Sequence, residues 1–205
     1  MTTVLLAAPL RVEAALISSA ARGAVVRKTG MGPERARAAA ALLPWERAGA
    51  VLVVGFCGGL ERSSVPGEVI VPERVYAAAD EDDPQGAVRC DLAPELVQQL
   101  AGRGLKLRTG PIVCVSRIAV GERREQLRAQ GAVAVDMESV WLGGGAGGRA
   151  FGVVRVVLDS PSHELFRVRS VIQALRAARS LRRVAGALHE WRPIDDALHD
   201  GRPGD

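Results

Sequence analysis

Lysine is nearly missing from this chain: of its 27 basic residues, only Lys28 and Lys106 are not Arg. Abundant Ala and Gly accompany that bias, which points to coding composition as much as to function. Aromatic residues make up only 3% of the chain. A protein that grips nucleic acid needs aromatic platforms beside a basic stripe. Here a net charge of +4 comes from Arg scattered among acids, so no nucleic-acid partner is expected. Cysteine is sparse too. Cys57, Cys90 and Cys114 lie far apart with no CxxC pair, which indicates neither a zinc site nor a disulfide framework. Cys57 and Cys114 sit in apolar or Gly-rich surroundings, the usual setting of small buried thiols. No apolar run approaches the roughly 20 residues of a membrane span. The amino terminus lacks a basic region, and Pro9 and Arg11 interrupt its apolar run. It reads as a first strand rather than a secretory signal, and the expected location is the cytoplasm.

What remains is a soluble globular composition, 48% hydrophobic and 24% charged over 205 residues. That is enough chain for one domain with a sizeable core. With no internal repeat or boundary, one domain is expected over residues 1–192, followed by a polar tail at 193–205.

Val4 to Ala8 reads as a strand, Pro9 to Ala21 as an Ala-rich helix with Pro in its first turn, and Ala24 to Lys28 as a second strand. A helix is expected from Glu34 to Leu43. Ala50 to Val54 is a continuous apolar run, the pattern of a central buried strand. It leads into a glycine-rich loop, Gly55-Phe56-Cys57-Gly58-Gly59-Leu60. A strand bounded by Pro66 and Pro72 follows. Next come an acidic solvated loop from Ala77 to Gly86 and a helix from Ala93 to Ala101. Leu105 to Val115 reads as one longer strand, and Glu122 to Gln130 as a charged surface helix. The glycines between Gly143 and Gly148 imply a short, loosely held helix or tight packing against a neighbour. Leu165 to Trp191 has apolar residues at helical spacing and reads as a long amphipathic helix.

The chain is organised around Ala134-Val135-Asp136-Met137-Glu138-Ser139. A short apolar run ends abruptly in two acids, and a helical stretch follows. Taken alone, the pattern is explained by Asp136 capping the helix and Glu138 facing its positive end. It is not alone, because Phe151 to Asp159 is a second buried-strand pattern ending in an acid. The helix after the first strand places Glu13 in its early turns. In open α/β sheets, ligands gather beyond the carboxyl ends of the strands. Glu13, Glu138 and Asp159 can therefore surround one pocket. Gly30-Met31-Gly32 before a helix suits either a backbone approach to a ligand or an ordinary tight turn.

These landmarks together resemble the purine nucleoside phosphorylase and uridine phosphorylase superfamily. They are most similar to its adenine-releasing branch, the methylthioadenosine/S-adenosylhomocysteine nucleosidases. The resemblance runs from Val4 to about Phe166. It rests on the ordered set of Glu13, Gly30 to Gly32, Gly55 to Leu60, Pro66-Gly67-Glu68, Val135 to Glu138 and Arg155 to Asp159. It implies an α/β fold of three layers, α/β/α, around a central mixed, partly barrel-like sheet. It also implies an N-glycosidase, with Glu138 on the ribose hydroxyls and Met137 packed under the sugar. Asp159 would be the acid that protonates the leaving purine, and Glu13 the base that orients the attacking water. Ile118 and Ala119 would sandwich the base. Asp136, Phe56, Cys57, Gly58 and Gly30 complete the expected substrate site. No metal and no cofactor enter this chemistry, and a homo-oligomer, usually a dimer, is implied.

The chemistry suits those residue types. Cleaving an N-glycosidic bond leaves cationic character on the ribose and negative charge on the base. Carboxylates under the sugar oppose the first, and an acid near the purine relieves the second. Asp159 is expected to need a raised pKa through partial burial at the end of its apolar strand. The phosphorylases hold phosphate with an arginine before the glycine-rich loop and a serine within it. Here those positions are Val53 and Phe56, which favours water as the nucleophile. The nucleosidases usually have Ser or Thr where this chain has Phe56, so the pocket is expected to be more apolar, and they usually have serine where it has Leu158. In length, in the glycine-rich loop with its bulky aromatic, and in the Asp-Met-Glu-Ser-x-Trp run through Trp141, the chain is similar to the nucleosidases associated with hopanoid biosynthesis. Adenosylhopane is then the expected substrate, a lipid-like one implying membrane proximity, with futalosine and methylthioadenosine as alternatives. A phosphorylase holding phosphate at Gly30 to Gly32 with Arg27 or Arg117 is the rival reaction. A non-catalytic binder is the rival class. His163 is read as edging the base or a 5′ substituent, or as lying in a surface loop.

Overall fold

The computed structural model describes residues 4–43, 48–81, 86–147, 149–163 and 170–191. β1 (Val4–Ala8), α1 (Arg11–Ala20), β2 (Val25–Lys28) and α2 (Pro33–Leu42) follow in the expected order. Pro33 opens α2, where its missing N–H costs nothing. β3 spans Ala50–Gly59, so the strand continues through the segment expected to be a glycine-rich loop. The reason is non-local. The second half of β3 is held by a parallel partner through Gly58, and an antiparallel strand joins it at Gly58 and Gly59.

β4 (Val69–Val71) is the Pro-bounded strand, and β5 (Arg74–Ala77) and β6 (Val88–Arg89) are short additions. After α3 (Ala93–Leu100), the single strand expected from Leu105 to Val115 is two, β7 (Leu107–Thr109) and β8 (Ile112–Cys114). Gly110, at φ 129°, and Pro111 break it. β7 and β8 then pair with different neighbours, β4 and β5. α4 (Glu122–Ala129), β9 (Ala134–Asp136), α5 (Ser139–Gly144), β10 (Ala150–Asp159) and α6 (Ser170–Glu190) complete the order. Asp82, Asp83, Gly148, residues 165–169 of the expected terminal helix and the tail from 193 lie outside the described residues.

The strands form one mixed sheet of ten, in the path β6-β5-β8-β9-β3-β10-β4-β7, with β1 and β2 attached beside β3. One edge of β3 is shared between β1, along Ala50 to Val53, and β9, at its far end. Its other edge pairs with β10 in parallel from Ala150 to Asp159. This forking splays the sheet into a partly barrel-like form that stays open. Helices flank it, and the fold is the mixed α/β one expected. α1 lies against α6, and α2 against α5. Val51 to Val54 and Val153 to Val157 are fully buried, and the Leu181 face of α6 packs into the same core. Gly143 in α5 is tightly packed, since a Cβ there would lie 2.9 Å from the Phe151 ring. Among the described residues, no helix is long and apolar enough to cross a membrane.

Candidate active site

α1 begins beside the carboxyl end of β1, which sets Glu13 in its first turn against β3. Two amides draw its carboxylate inward. Oε2 accepts from the Leu10 N–H at 2.6 Å, and Oε1 from the Phe56 N–H at 2.6 Å. Glu13 is only 1% exposed. Burial raises its pKa, while Arg155 and the two amides oppose that rise.

The junction of β9 and α5 supplies Asp136, Met137 and Glu138. Asp136 Oδ1 accepts the Cys114 thiol at 2.8 Å and faces the N–H groups of Glu138 and Ser139 at 3.3 Å. Its Oδ2 takes the Ser139 hydroxyl and Arg155 Nε. The N-cap position of α5 is Glu138 rather than Asp136, and no acid lies in its first turn. Asp136 instead reaches the opening amides from two residues upstream and is half of a buried ion pair. Glu138 Oε1 accepts the Gly32 N–H at 3.0 Å, and Oε2 accepts Arg155 Nη2 at 3.1 Å. Burial pushes the Glu138 pKa up to about 7, against the pull of Arg155. Burial works the same way on Asp136, but Arg155 and the Cys114 and Ser139 hydrogen bonds outweigh it and hold that carboxyl below its usual value.

Arg155, fully buried in the middle of β10, binds this acid cluster together. Its charge is the reason two carboxylates can sit side by side in a low dielectric. Its Nη1 has no hydrogen-bond partner among the described residues. That atom and Glu13 Oε1 crowd the face of Gly55, where a Cβ would lie 2.8 Å and 2.6 Å from them. Gly55→Ala should therefore displace both groups. Denaturant unfolding is expected to show a loss of about 1–3 kcal/mol, the usual cost of overpacking a tight site. A loss of activity should accompany it.

Asp159 ends β10 and is 8% exposed. It is buried as expected, yet not alone. Arg124 Nη2 from α4 pairs with Asp159 Oδ2 at 2.5 Å, and Arg124 Nε donates to the Ala119 carbonyl at 2.8 Å. The surface helix expected from Glu122 to Gln130 thus turns one of its arginines inward.

The four acids and Arg124 meet at one hollow, with Arg155 buried behind its wall. The acids Glu13, Asp136, Glu138 and Asp159 line it, as do Phe56, Cys57 and Gly58 from β3. So do Ile118, Ala119 and Met137. Gly30 does not line it. Its neighbour Met31 does, and Gly32 contributes its amide to Glu138. Sequence reasoning missed Arg124 as a wall of the hollow, and it quoted Arg155 without giving it a task. An arginine inside an otherwise apolar strand was the available signal, because a buried charge requires partners. Arg27 and Arg117 are exposed and do not line the hollow, and Val53 is buried in the core. His163 is also off its wall, with Nδ1 3.2 Å from the Ser160 hydroxyl.

The family model described as the phosphorylase superfamily matches residues 12–185. The chain belongs to the phosphorylase superfamily. No curated protein matches it by sequence. In fold it is similar to the 5′-methylthioadenosine/S-adenosylhomocysteine nucleosidase of Neisseria meningitidis, solved with methylthio-immucillin-A. The TM-score is 0.77 at 18% identity, covering 93% of this chain and 100% of that one. It is likewise similar to the Campylobacter jejuni nucleosidase of that name, with TM-score 0.78, 13% identity, and 93% and 100% of the two chains. The S-adenosylhomocysteine nucleosidase of Streptococcus pyogenes gives 0.74 at 18% identity, over 94% and 98%. At such identities the likeness is one of fold. Arg124, on the wall of the hollow, is paired with Asp159, and Arg155, buried behind that wall, with Asp136 and Glu138.

Proposed function

We propose that this protein is a purine nucleosidase that hydrolyses the N-glycosidic bond of a 5′-substituted adenosine. The observation that carries the reading is the convergence of Glu13, Glu138 and Asp159, from three separate elements, on one apolar hollow. Glu138, in this reading, accepts hydrogen bonds from the ribose hydroxyls, with Met137 beneath the ring. Glu13 takes a proton from the attacking water as its oxygen bonds to C1′. Asp159 stands at the base end, where the departing purine needs its charge relieved. The matched segment and its flanking elements are read as one domain over residues 1–192, with a polar tail at 193–205.

The finer reading is adenosylhopane. The hollow measures about 160 Å³, below the roughly 300–1,000 Å³ of full ligand pockets, so a bulky 5′ group has to leave through its mouth. Met31 and Ile118 line that hollow while remaining 42% and 65% exposed, and Phe56 and Leu158 add further apolar surface. Such a rim suits a lipid-like substituent better than a charged one. A cytoplasmic enzyme working near a membrane surface, as a homodimer, fits this reading.

Incubation with a panel of adenine nucleosides, reading free adenine by mass, tests the proposal. Adenine should appear at the same rate with and without added phosphate, and a lipid-substituted nucleoside should be preferred to methylthioadenosine. Strict phosphate dependence would make the protein a phosphorylase instead.

A further inference from the structure

The nucleosidase reading leaves one buried cation at the hollow without a task. Arg124 is the third residue of α4 and only 4% exposed. Its guanidinium is fixed at two points, by Nε on the Ala119 carbonyl and by Nη2 on Asp159. The third nitrogen, Nη1, is buried and has no partner among the described residues. A charged donor left without an acceptor is costly in a protein interior, and this one belongs to a residue that lines the hollow. Glycine at 58, also on the wall, leaves room beside the Arg124–Asp159 pair. A Cβ there would lie 3.3 Å from both Arg124 Nη2 and Asp159 Oδ1.

An arginine beside a carboxylate presents a donor next to an acceptor. Adenine carries the complement on one edge, with N7 accepting and the 6-amino group donating. Resting on the nucleosidase reading, we propose that Arg124 is a catalytic residue that donates an N–H to N7 of the departing base, while Asp159 holds the guanidinium in place and accepts from the 6-amino group. The C1′–N9 bond breaks with its electron pair moving onto the base. The attacking water gives its oxygen to C1′ and one proton to Glu13. The base takes a proton from solvent, and Glu13 returns its own to solvent, so the sum is nucleoside plus water giving sugar plus purine. In this arrangement the ion pair need not open for the bond to break. The positive charge that meets the leaving purine is fixed before reaction, as electrostatic preorganisation requires.

The test compares wild type with Arg124→Gln on two substrates. One is 5′-methylthioadenosine, and the other is 4-nitrophenyl riboside, whose leaving group needs no stabilisation. The variant should lose about 10²–10³-fold in kcat/KM on the adenine nucleoside, as when one preorganised donor is removed. It should lose less than about tenfold on the nitrophenyl riboside. Equal losses on both, or none on either, would overturn the assignment. The 7-deaza analogue of methylthioadenosine, which lacks the N7 acceptor, supplies an arm that needs only the folded wild type. It should be cleaved by the wild type about 10²-fold more slowly than the parent, and equal rates would overturn the assignment as well. Release of neither adenine nor nitrophenolate by the wild type would instead show that the nucleosidase reading itself had failed.

Discussion

Glu13→Gln should lower kcat for adenine release by about 10²–10⁴-fold, the range expected when a positioned general base is lost, while KM for the nucleoside changes little. The separation follows from placement. Glu13 lies at the Gly55 face beside Arg155 Nη1, whereas the sugar hydroxyls are assigned to Glu138. Glutamine keeps the length of the side chain but turns one acceptor into a donor. Either the Leu10 or the Phe56 amide then loses its acceptor, at about 1–3 kcal/mol for a buried N–H. Steady-state kinetics and a denaturation curve on the same preparation separate the two effects. In the wild type, Glu13 acts as a base only when ionised, and burial raises its pKa. Glu138 is pushed up to about 7. The acid limb of kcat/KM is therefore expected to fall as pH drops through about 7, well above the 4.5 of an ordinary glutamate. The Gln variant should keep the part of that limb that belongs to Glu138. A flat profile down to pH 5 would contradict the assignment of both acids.

Much of this site was legible because its residues interrupt simple patterns. Acids that end apolar runs, at Asp136 and Asp159, mark the carboxyl edge of a buried sheet whatever the tertiary detail. Glu13 was found by the same rule, one helical turn beyond a strand. The continuation of β3 through Gly55 to Gly59 was hidden because the pairing that extends it comes from β9 and β10, some 75 to 100 positions away along the chain. Glycines read locally as a loop, yet here they leave space for the tips of Glu13, Arg155 and Asp159. Arg124 was hidden differently. It sits in Glu-Arg-Arg-Glu-Gln-Leu-Arg-Ala, where almost every position is charged or polar, and nothing local distinguishes the arginine that turns inward from the two that stay at the surface. Only the return of α4 across Gly58 and Asp159 does so.

Arg155→Met should be the most destabilising single change in the site. Burial of Asp136 and Glu138 depends on this one cation, which lies within hydrogen-bonding range of both. Removing one member of a buried ion cluster costs about 3–5 kcal/mol, because the remaining charges stay desolvated. That is a large share of the roughly 5–15 kcal/mol by which domains are stable. The pH dependence should identify the cause. In the wild type Glu138 takes up its proton near pH 7 when folded, but near 4.5 when unfolded. Its contribution to stability is thus full below about 4.5 and declines as pH rises toward 7. Asp136 runs oppositely: its lowered pKa gives stability that is present above 3.8 and is lost only as pH falls below that. Without Arg155 the Asp136 pKa should rise as well, and both acids should then favour low pH. Urea midpoints for the Met variant should accordingly increase from pH 8 to pH 5, where the wild type changes less. A combined variant, Arg155→Met with Asp136→Asn and Glu138→Gln, removes the stranded charges along with the cation and should regain part of the lost stability. It should still release no adenine. Recovered folding with absent catalysis would mean that this buried cluster is retained for the reaction at the sugar, since an uncharged core of similar volume can hold the fold without it.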